Sequence, residues 1–294
     1  MSEQLHNKKI SFVGGGMMGA AIMEALVGKT GVPTGDIRVG EPSPKRRELL
    51  ASKLGVRTMD DNSAAVSGAD IVVLAVKPQM LPGVLAELSG RIPPSAFVIS
   101  IIAGIPIANI QNGLAHNAVV RTMPNTPAQI GEAMTVWTAA EEVTEAQRTQ
   151  AAAILQGMGL ELYVHHEDAL DMATAICGTG PTYAFLLMEA LLDAAVHMGL
   201  SRADARPLVI QTVLGSAKLA MQSDKHLAEL RNMVTSPGGT SAEAVYQMEK
   251  GGMRTVLSKA VWAAYQKARL LGRRAAEPQN EPLHVDSIAP DTDA

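Results

Sequence analysis

Short apolar runs closed by glycine or proline alternate with amphipathic stretches along the first half of the chain. Residues 9–14, KISFVG, are such a run, and the pattern predicts a buried strand ending at glycine. Residues 17–28 carry helical spacing, 37–40 (IRVG) predict a second strand and 45–54 a second helix. Further strands are predicted at 70–76, stopped by Pro78, at 96–102, near 118–122 and at 134–139. A helix over 143–159 and a strand over 160–166 close the series. Strands alternating with helices imply an α/β fold, a doubly wound parallel sheet with right-handed crossovers.

From residue 168 the strand pattern disappears and nearly every stretch has helical spacing. In 182–198 the polar residues Glu189, Asp193 and His197 recur every fourth position as a narrow stripe, and the rest of the helix is apolar. A helix apolar around most of its circumference must be surrounded. Roughly 100 helical residues in one subunit are too few to do so, which predicts an obligate homodimer through this half. Residues 275–294 hold five acids and three prolines with no Lys or Arg, a composition expected to be disordered. The expected organisation is a nucleotide-type α/β domain at 1–166, a helical dimerisation and substrate domain at 167–274, and an acidic tail at 275–294.

Composition narrows the classes. A chain of 294 residues exceeds most single cores, which agrees with two domains. Aromatics are only 3 %, while Ala, Leu, Val and Met are frequent, which suits a helix-rich core. A net charge of −4 gives no electrostatic case for nucleic acid or an anionic membrane. Cys177 is the one cysteine, so no intrachain disulfide forms, and a reducing, cytoplasmic location is expected. No run of about 18 uninterrupted apolar residues predicts a membrane span. The polar start MSEQLHNKKI lacks the apolar core of a secretion signal.

Two glycine-rich stretches carry chemistry. VGGGMMG places Gly14, Gly16 and Gly19 in G-x-G-x-x-G spacing between a strand and a helix. The first glycine makes the turn, the second admits a pyrophosphate and the third packs helix on strand, so this is a dinucleotide site of Rossmann type. Met17 and Met18 lie in the same loop, with side chains expected to pack helix on sheet. Glu41, at the end of the second strand, suits the ribose of NADH and would repel a 2′-phosphate. Ser43, Lys45, Arg46 and Arg47 follow it and could bind that phosphate, so NADH and NADPH both stay open. The second stretch, SPGGTSAEA at 236–244, reads as a helix start. Thr240 to Glu243 fit a capping box, and the glycines before them allow a close backbone approach, which also suits an anion site.

Several stretches now agree: AVKP at 75–78, RTMPNTP at 121–127, GTGPTY at 178–183, EALLDAAVHMGL at 189–200, QTVLGSAK at 211–218 and SPGGTS at 236–241. With these the chain, from about residue 8 to 272, resembles the pyrroline-5-carboxylate reductases, which make L-proline from 1-pyrroline-5-carboxylate. The resemblance implies an N-terminal Rossmann-type doubly wound sheet followed by an all-helical dimerisation domain, with dimers that assemble into larger rings. It implies that NADPH or NADH lies along Gly14 to Gly19, near Ser43 and Asn62, against Ala75, Val76, Lys77 and Pro78, with the backbone of Ile101 to Ala103 on the nicotinamide side. It implies further that Gly239, Thr240 and Ser241 bind the substrate carboxylate, that the Ser241 hydroxyl reaches the ring nitrogen with Thr240 beside it as the second catalytic hydroxyl, and that Asp224 approaches across the dimer. Ser241 and Thr179 differ from common family residues but keep a hydroxyl. Met233 stands where an amide is frequent, and Ile101 and Ile102 where smaller residues are.

Other candidates have plainer readings. His165, His166, Glu167 and Asp168 resemble a metal cluster, but adjacent histidines diverge, so an exposed loop and no metal is expected. Cys177 has no neighbouring base and reads as structural. Lys77, and the Asn125–Thr126 pair between prolines, suit either structure or cofactor. A related hydroxyacid dehydrogenase would need a lysine followed by asparagines, whereas Lys218 is followed by LAMQ. A dimeric cofactor-binding protein without turnover would not need an intact SPGGT turn.

Overall fold

Eight strands line up in one sheet in the order β3-β2-β1-β4-β5-β6-β7-β8. The computed structural model describes residues 3–276, so the predicted acidic tail lies outside the described residues beyond its first two positions, which continue the last helix. The strands are β1 Ile10–Val13, β2 Ile37–Gly40, β3 Arg57–Met59, β4 Ile71–Leu74, β5 Phe97–Ser100, β6 Val119–Met123, β7 Ala133–Ala139 and β8 Gly159–Tyr163. The helices around them are α1 Met17–Ala25, α2 Pro44–Leu54, α3 Asn62–Val66, α4 Leu81–Leu88, α5 Ile107–Leu114 and α6 Glu145–Gln156.

Alternation within the central strands feeds two cores. Ile71 and Val73 of β4 join the cluster that includes Ile22 of α1 and Leu50 of α2. Val72 and Leu74 join the opposite cluster, with Val66, Leu88 and Ile110. Burial on both faces is why these strands read as continuous apolar runs.

Two expectations need correction. β7 runs antiparallel to β6, so the sheet is mixed. Strand direction depends on the connection and leaves no mark in apolar spacing. The predicted helix 17–28 ends as α-helix at Ala25 and continues as a π-helical turn over Leu26–Thr30. The stretch Ala169–His197 is long and apolar enough by composition to cross a membrane, while polar residues interrupt it, as the sequence predicts.

The helical half comprises α7 Ala169–Ala173, a π-helical turn Thr174–Gly178, α8 Gly180–His197, α9 Arg202–Met221, α10 Leu227–Met233, α11 Thr240–Lys250 and α12 Met253–Ala276. Only Ala195 of α8 is buried in the single chain. Phe185 and Leu186 are 64 % and 65 % exposed, and Trp262 of α12 is 60 % exposed. Soluble monomers rarely leave so many large apolar side chains uncovered, so this half is built to meet another surface.

Candidate active site

The chain turns after β1 at Gly14, whose φ of +98° lies in the left-handed region that favours glycine. A methyl there would come within 2.8 Å of the Ala75 carbonyl oxygen and 3.0 Å of Val76 Cγ1, so the loop runs against the end of β4. A methyl on Gly19 would lie 2.9 Å from the Gly14 carbonyl oxygen and 3.3 Å from Ala75 Cβ. Gly16 differs: it is the exposed N-cap of α1, no side chain satisfies that helix start, and a methyl there meets nothing within 4 Å. An open helix start with free N–H groups fits the pyrophosphate of a dinucleotide.

Around this loop the side chains depart from the expected pattern. Glu41 Oε2 accepts the Gly15 N–H at 2.9 Å and Oε1 accepts the Ser43 N–H at 3.0 Å. The carboxylate therefore fastens the glycine loop to the end of β2. Arg46 donates from Nε to the Gly15 carbonyl at 2.5 Å and from Nη2 to the Gly16 carbonyl at 3.1 Å, so it lies along the loop. Ser43 is exposed and caps α2, accepting from the Arg46 N–H at 3.4 Å. Asn62 packs beside Gly40 and donates to Glu87 Oε2 at 2.8 Å. Met18 packs on the core, but Met17 is 64 % exposed and accepts at sulfur from Gln129 Nε2, so only one methionine packs as expected. Lys77 is exposed, at the start of the turn that carries Pro78. Ile101 donates its N–H to the Leu74 carbonyl at 3.2 Å, which brings Ala103 to the same carboxyl edge of the sheet. Ligands of doubly wound sheets sit outside this edge, where the strand order reverses between β1 and β4.

The second glycine stretch stands on the helical half. Gly238 has φ of +68° and Gly239 is the N-cap of α11. Thr240 is thus the first helical residue and forms no capping box. Gly239 takes the extended cap conformation ahead of it, and Glu243 accepts from Gln247 Nε2 at 2.8 Å instead of reaching back. Among the described residues the N–H groups and hydroxyls of Thr240 and Ser241 have no partner. Thr240 is exposed and Ser241 half-buried, and Asp224 is exposed in the connection before α10. No hydrogen bond among the described residues joins this turn to the nucleotide edge.

The junction between the halves uses residues whose roles the sequence left unassigned. Arg121, on β6, is 5 % exposed at its side chain and donates to Glu167 Oε1 at 2.8 Å and Asp171 Oδ1 at 2.9 Å. Glu167 Oε1 also accepts the Ile107 N–H at the start of α5, at 2.8 Å. The HHED stretch thus serves an ion pair through Glu167, while His165 stacks edge-on against Tyr163. Asn125 Oδ1 accepts the Met134 N–H at 3.0 Å and Nδ2 donates to the Cys177 carbonyl at 3.1 Å, tying the MPNTP turn to β7 and to the π-helical turn. Thr179 Oγ1 closes that turn on the Thr174 carbonyl. Cys177 is half-buried, burial pushes its thiol pKa up, and its Sγ donates to the Ala173 carbonyl. The only hint of this junction was an arginine inside an apolar strand, NAVVRTM.

A glycine loop of nucleotide-binding type at the sheet edge, followed by a helical half with exposed apolar residues, places the chain in the class of dinucleotide-binding proteins that associate through helices. Residues 9–104 match the family model "NADP oxidoreductase coenzyme F420-dependent", and residues 167–271 match "Pyrroline-5-carboxylate reductase dimerisation". The pyrroline-5-carboxylate reductase of Synechocystis sp. is 40 % identical over 266 residues, covering 90 % of this chain and 99 % of that one. That of Pseudomonas aeruginosa is 37 % identical, covering 92 % and 98 %. Among solved structures, a pyrroline-5-carboxylate reductase from Coxiella burnetii superposes with a TM-score of 0.84 at 36 % identity over 90 % of this chain and 99 % of that one. The pyrroline carboxylate reductase of Plasmodium falciparum, solved with NADP bound, gives 0.83 at 31 % identity over 90 % and 98 %. The chain belongs to the pyrroline-5-carboxylate reductase family.

Proposed function

We propose that the chain reduces 1-pyrroline-5-carboxylate to L-proline, the last step of proline biosynthesis, with NADPH as the preferred donor and NADH as the alternative. The observation that carries this reading is a pair of open helix starts, at Gly16 of α1 and Gly239 of α11, in a chain similar to these reductases over nine-tenths of its length. The loop from Gly14 to Gly19 holds the pyrophosphate at its open helix start, Gly16, and the backbone from Ala75 to Pro78 and from Ile101 to Ala103 lines the cofactor. Glu41 is engaged by two backbone N–H groups and Lys45 is exposed nearby, which supports a 2′-phosphate beside Ser43. When bound, the nicotinamide supplies the hydride that the C=N carbon accepts. Thr240 and Ser241 offer free N–H groups at a helix N-terminus to the substrate carboxylate. The Ser241 hydroxyl bonds the ring nitrogen and Asp224 of the second subunit stands near. An imine protonates near neutral pH, so position rather than a strong acid carries the rate.

The helical half pairs two copies as an obligate dimer, and dimers join into a ring. The run Ala169–His197 faces the second copy rather than lipid, because Glu189, Asp193 and His197 break its apolar surface. A cytoplasmic location with no nucleic-acid partner follows from the single cysteine and the modest negative charge. The test is direct: purified protein, 1-pyrroline-5-carboxylate and NADPH or NADH, with loss of reduced-cofactor absorbance and proline formation measured together. Absence of proline with both donors refutes the reading.

A further inference from the structure

The turn after β5 is held from two sides. On the sheet side, Ile101 bonds the end of β4 and the Ile102 N–H is accepted by Ser100 Oγ at 3.3 Å, with Ile102 only 2 % exposed. On the other side stands the C-terminal end of α12. A methyl on Gly104, whose φ is +76°, would lie 3.0 Å from the Gly272 backbone nitrogen and 3.4 Å from the Ala268 carbonyl oxygen. A methyl on Gly272 would collide with the Gly104 carbonyl oxygen. Both glycines are buried, so two backbones touch there with no side chain between them. Glycine near the end of a helix weakens it relative to alanine, and the close approach gives it a reason to be there. The same helix packs on α7 and on the π-helical turn, the elements that Arg121 and Asn125 tie to the sheet.

We infer that Gly272 is a positioning residue for the hydride-transfer site, setting the nicotinamide wall at 101–103 by letting α12 press backbone to backbone on Gly104, which directly follows it. This rests on the cofactor reading above. Alanine at 272 must displace either the helix end or the wall, while the glycine loop that holds the adenosine half is untouched. Displacement of a reacting partner by about 1 Å costs up to a hundredfold in rate.

The experiment uses the full chain with Gly272→Ala, and with Gly83→Ala as control, an exposed α4 glycine where a methyl meets nothing within 4 Å. For Gly272→Ala, kcat is expected to fall about tenfold or more, with the Kd of 2′,5′-ADP changed less than about twofold. Gly83→Ala should leave both unchanged. A lower melting temperature with full kcat would make the contact mere packing and overturn the inference. So would 2′,5′-ADP affinity falling in step with kcat. A wild-type protein that makes no proline would sink the functional reading instead. Should Gly272→Ala not fold, hydrogen exchange on the wild type decides. NADP⁺ should slow exchange at both 101–105 and 268–272, and 2′,5′-ADP at neither; protection of one segment without the other overturns the inference.

Discussion

Arg121→Met removes the guanidinium that joins the two halves while keeping most of the stem volume. The arginine side chain is 5 % exposed, whereas Glu167 and Asp171 are 32 % and 20 % exposed. Breaking a fully buried pair costs about 3–5 kcal/mol because a charge is stranded. Here both stranded carboxylates can regain some water, and Glu167 keeps the Ile107 N–H, so the lower end applies, about 3 kcal/mol. In a chain of this size each kcal/mol moves Tm by about 2–4 °C, so a fall of roughly 6–12 °C is expected. Calorimetry should compare wild type and variant at equal protein concentration, since dimerisation makes Tm concentration-dependent. A cycle with Glu167→Gln and Asp171→Asn adds the decisive measurement. With the acids neutral, the loss of Arg121 should cost at least ~1 kcal/mol less than in the wild type. A Tm within about 2 °C of wild type, or strictly additive costs, would refute the view that this buried cluster fastens the junction.

Three further outcomes are expected. Glu41→Gln leaves one acceptor for two backbone donors, so affinity for NADPH and NADH should fall together by about tenfold, read by fluorescence titration; a changed preference between them would mean that Glu41 reads the ribose instead. Ser241→Ala should lower kcat for 1-pyrroline-5-carboxylate by roughly tenfold or more with NADPH Kd unchanged, and a weakened Kd would place the hydroxyl at the cofactor. Burial raises the Cys177 thiol pKa, so at pH 8 iodoacetamide should alkylate the folded protein more slowly than the urea-unfolded chain, and equal rates would show no such shift. Because the folded state holds that proton more tightly, stability from this group is present below the ordinary thiol pKa and declines as pH rises through and above it.

The parts of this protein that were legible in its sequence share one physical property: they depend on local spacing. β1, β2, β4, β5 and β6 announced themselves because most of their positions are buried, so apolar residues dominate each run; only β4 is apolar throughout, and Ser11, Arg38, Ser100, Arg121 and Thr122 interrupt the others. β3 is three residues long with Arg57 exposed, and no periodicity survives at that length. The direction of β7 is settled by how the chain returns from β6, which alternation cannot encode. The same division runs through the site. The glycine spacing at Gly14, Gly16 and Gly19 was legible because a strand–turn–helix pattern is a property of a few consecutive residues, and so was the helix start at 236–244, although Gly239 rather than Thr240 supplies its N-cap.

The contacts that tie the two halves of the chain together are different in kind. Arg121 meets carboxylates 46 and 50 positions away, and Asn125 meets a carbonyl 52 positions away. Gly272 meets a turn in the other half of the chain. Glu41 shows how such contacts add to a local reading. Its place after β2 suits a ribose, yet the Gly15 and Ser43 N–H groups claim both of its oxygens. On the function proposed above, hydride transfer needs the two helix starts at a fixed separation, and backbone N–H groups on separate elements cannot fix it themselves. The junction contacts of Arg121, Asn125 and Gly272 then do so, which is why substitutions there should lower kcat while cofactor affinity holds, whereas Glu41, inside the glycine-loop seat, should change affinity.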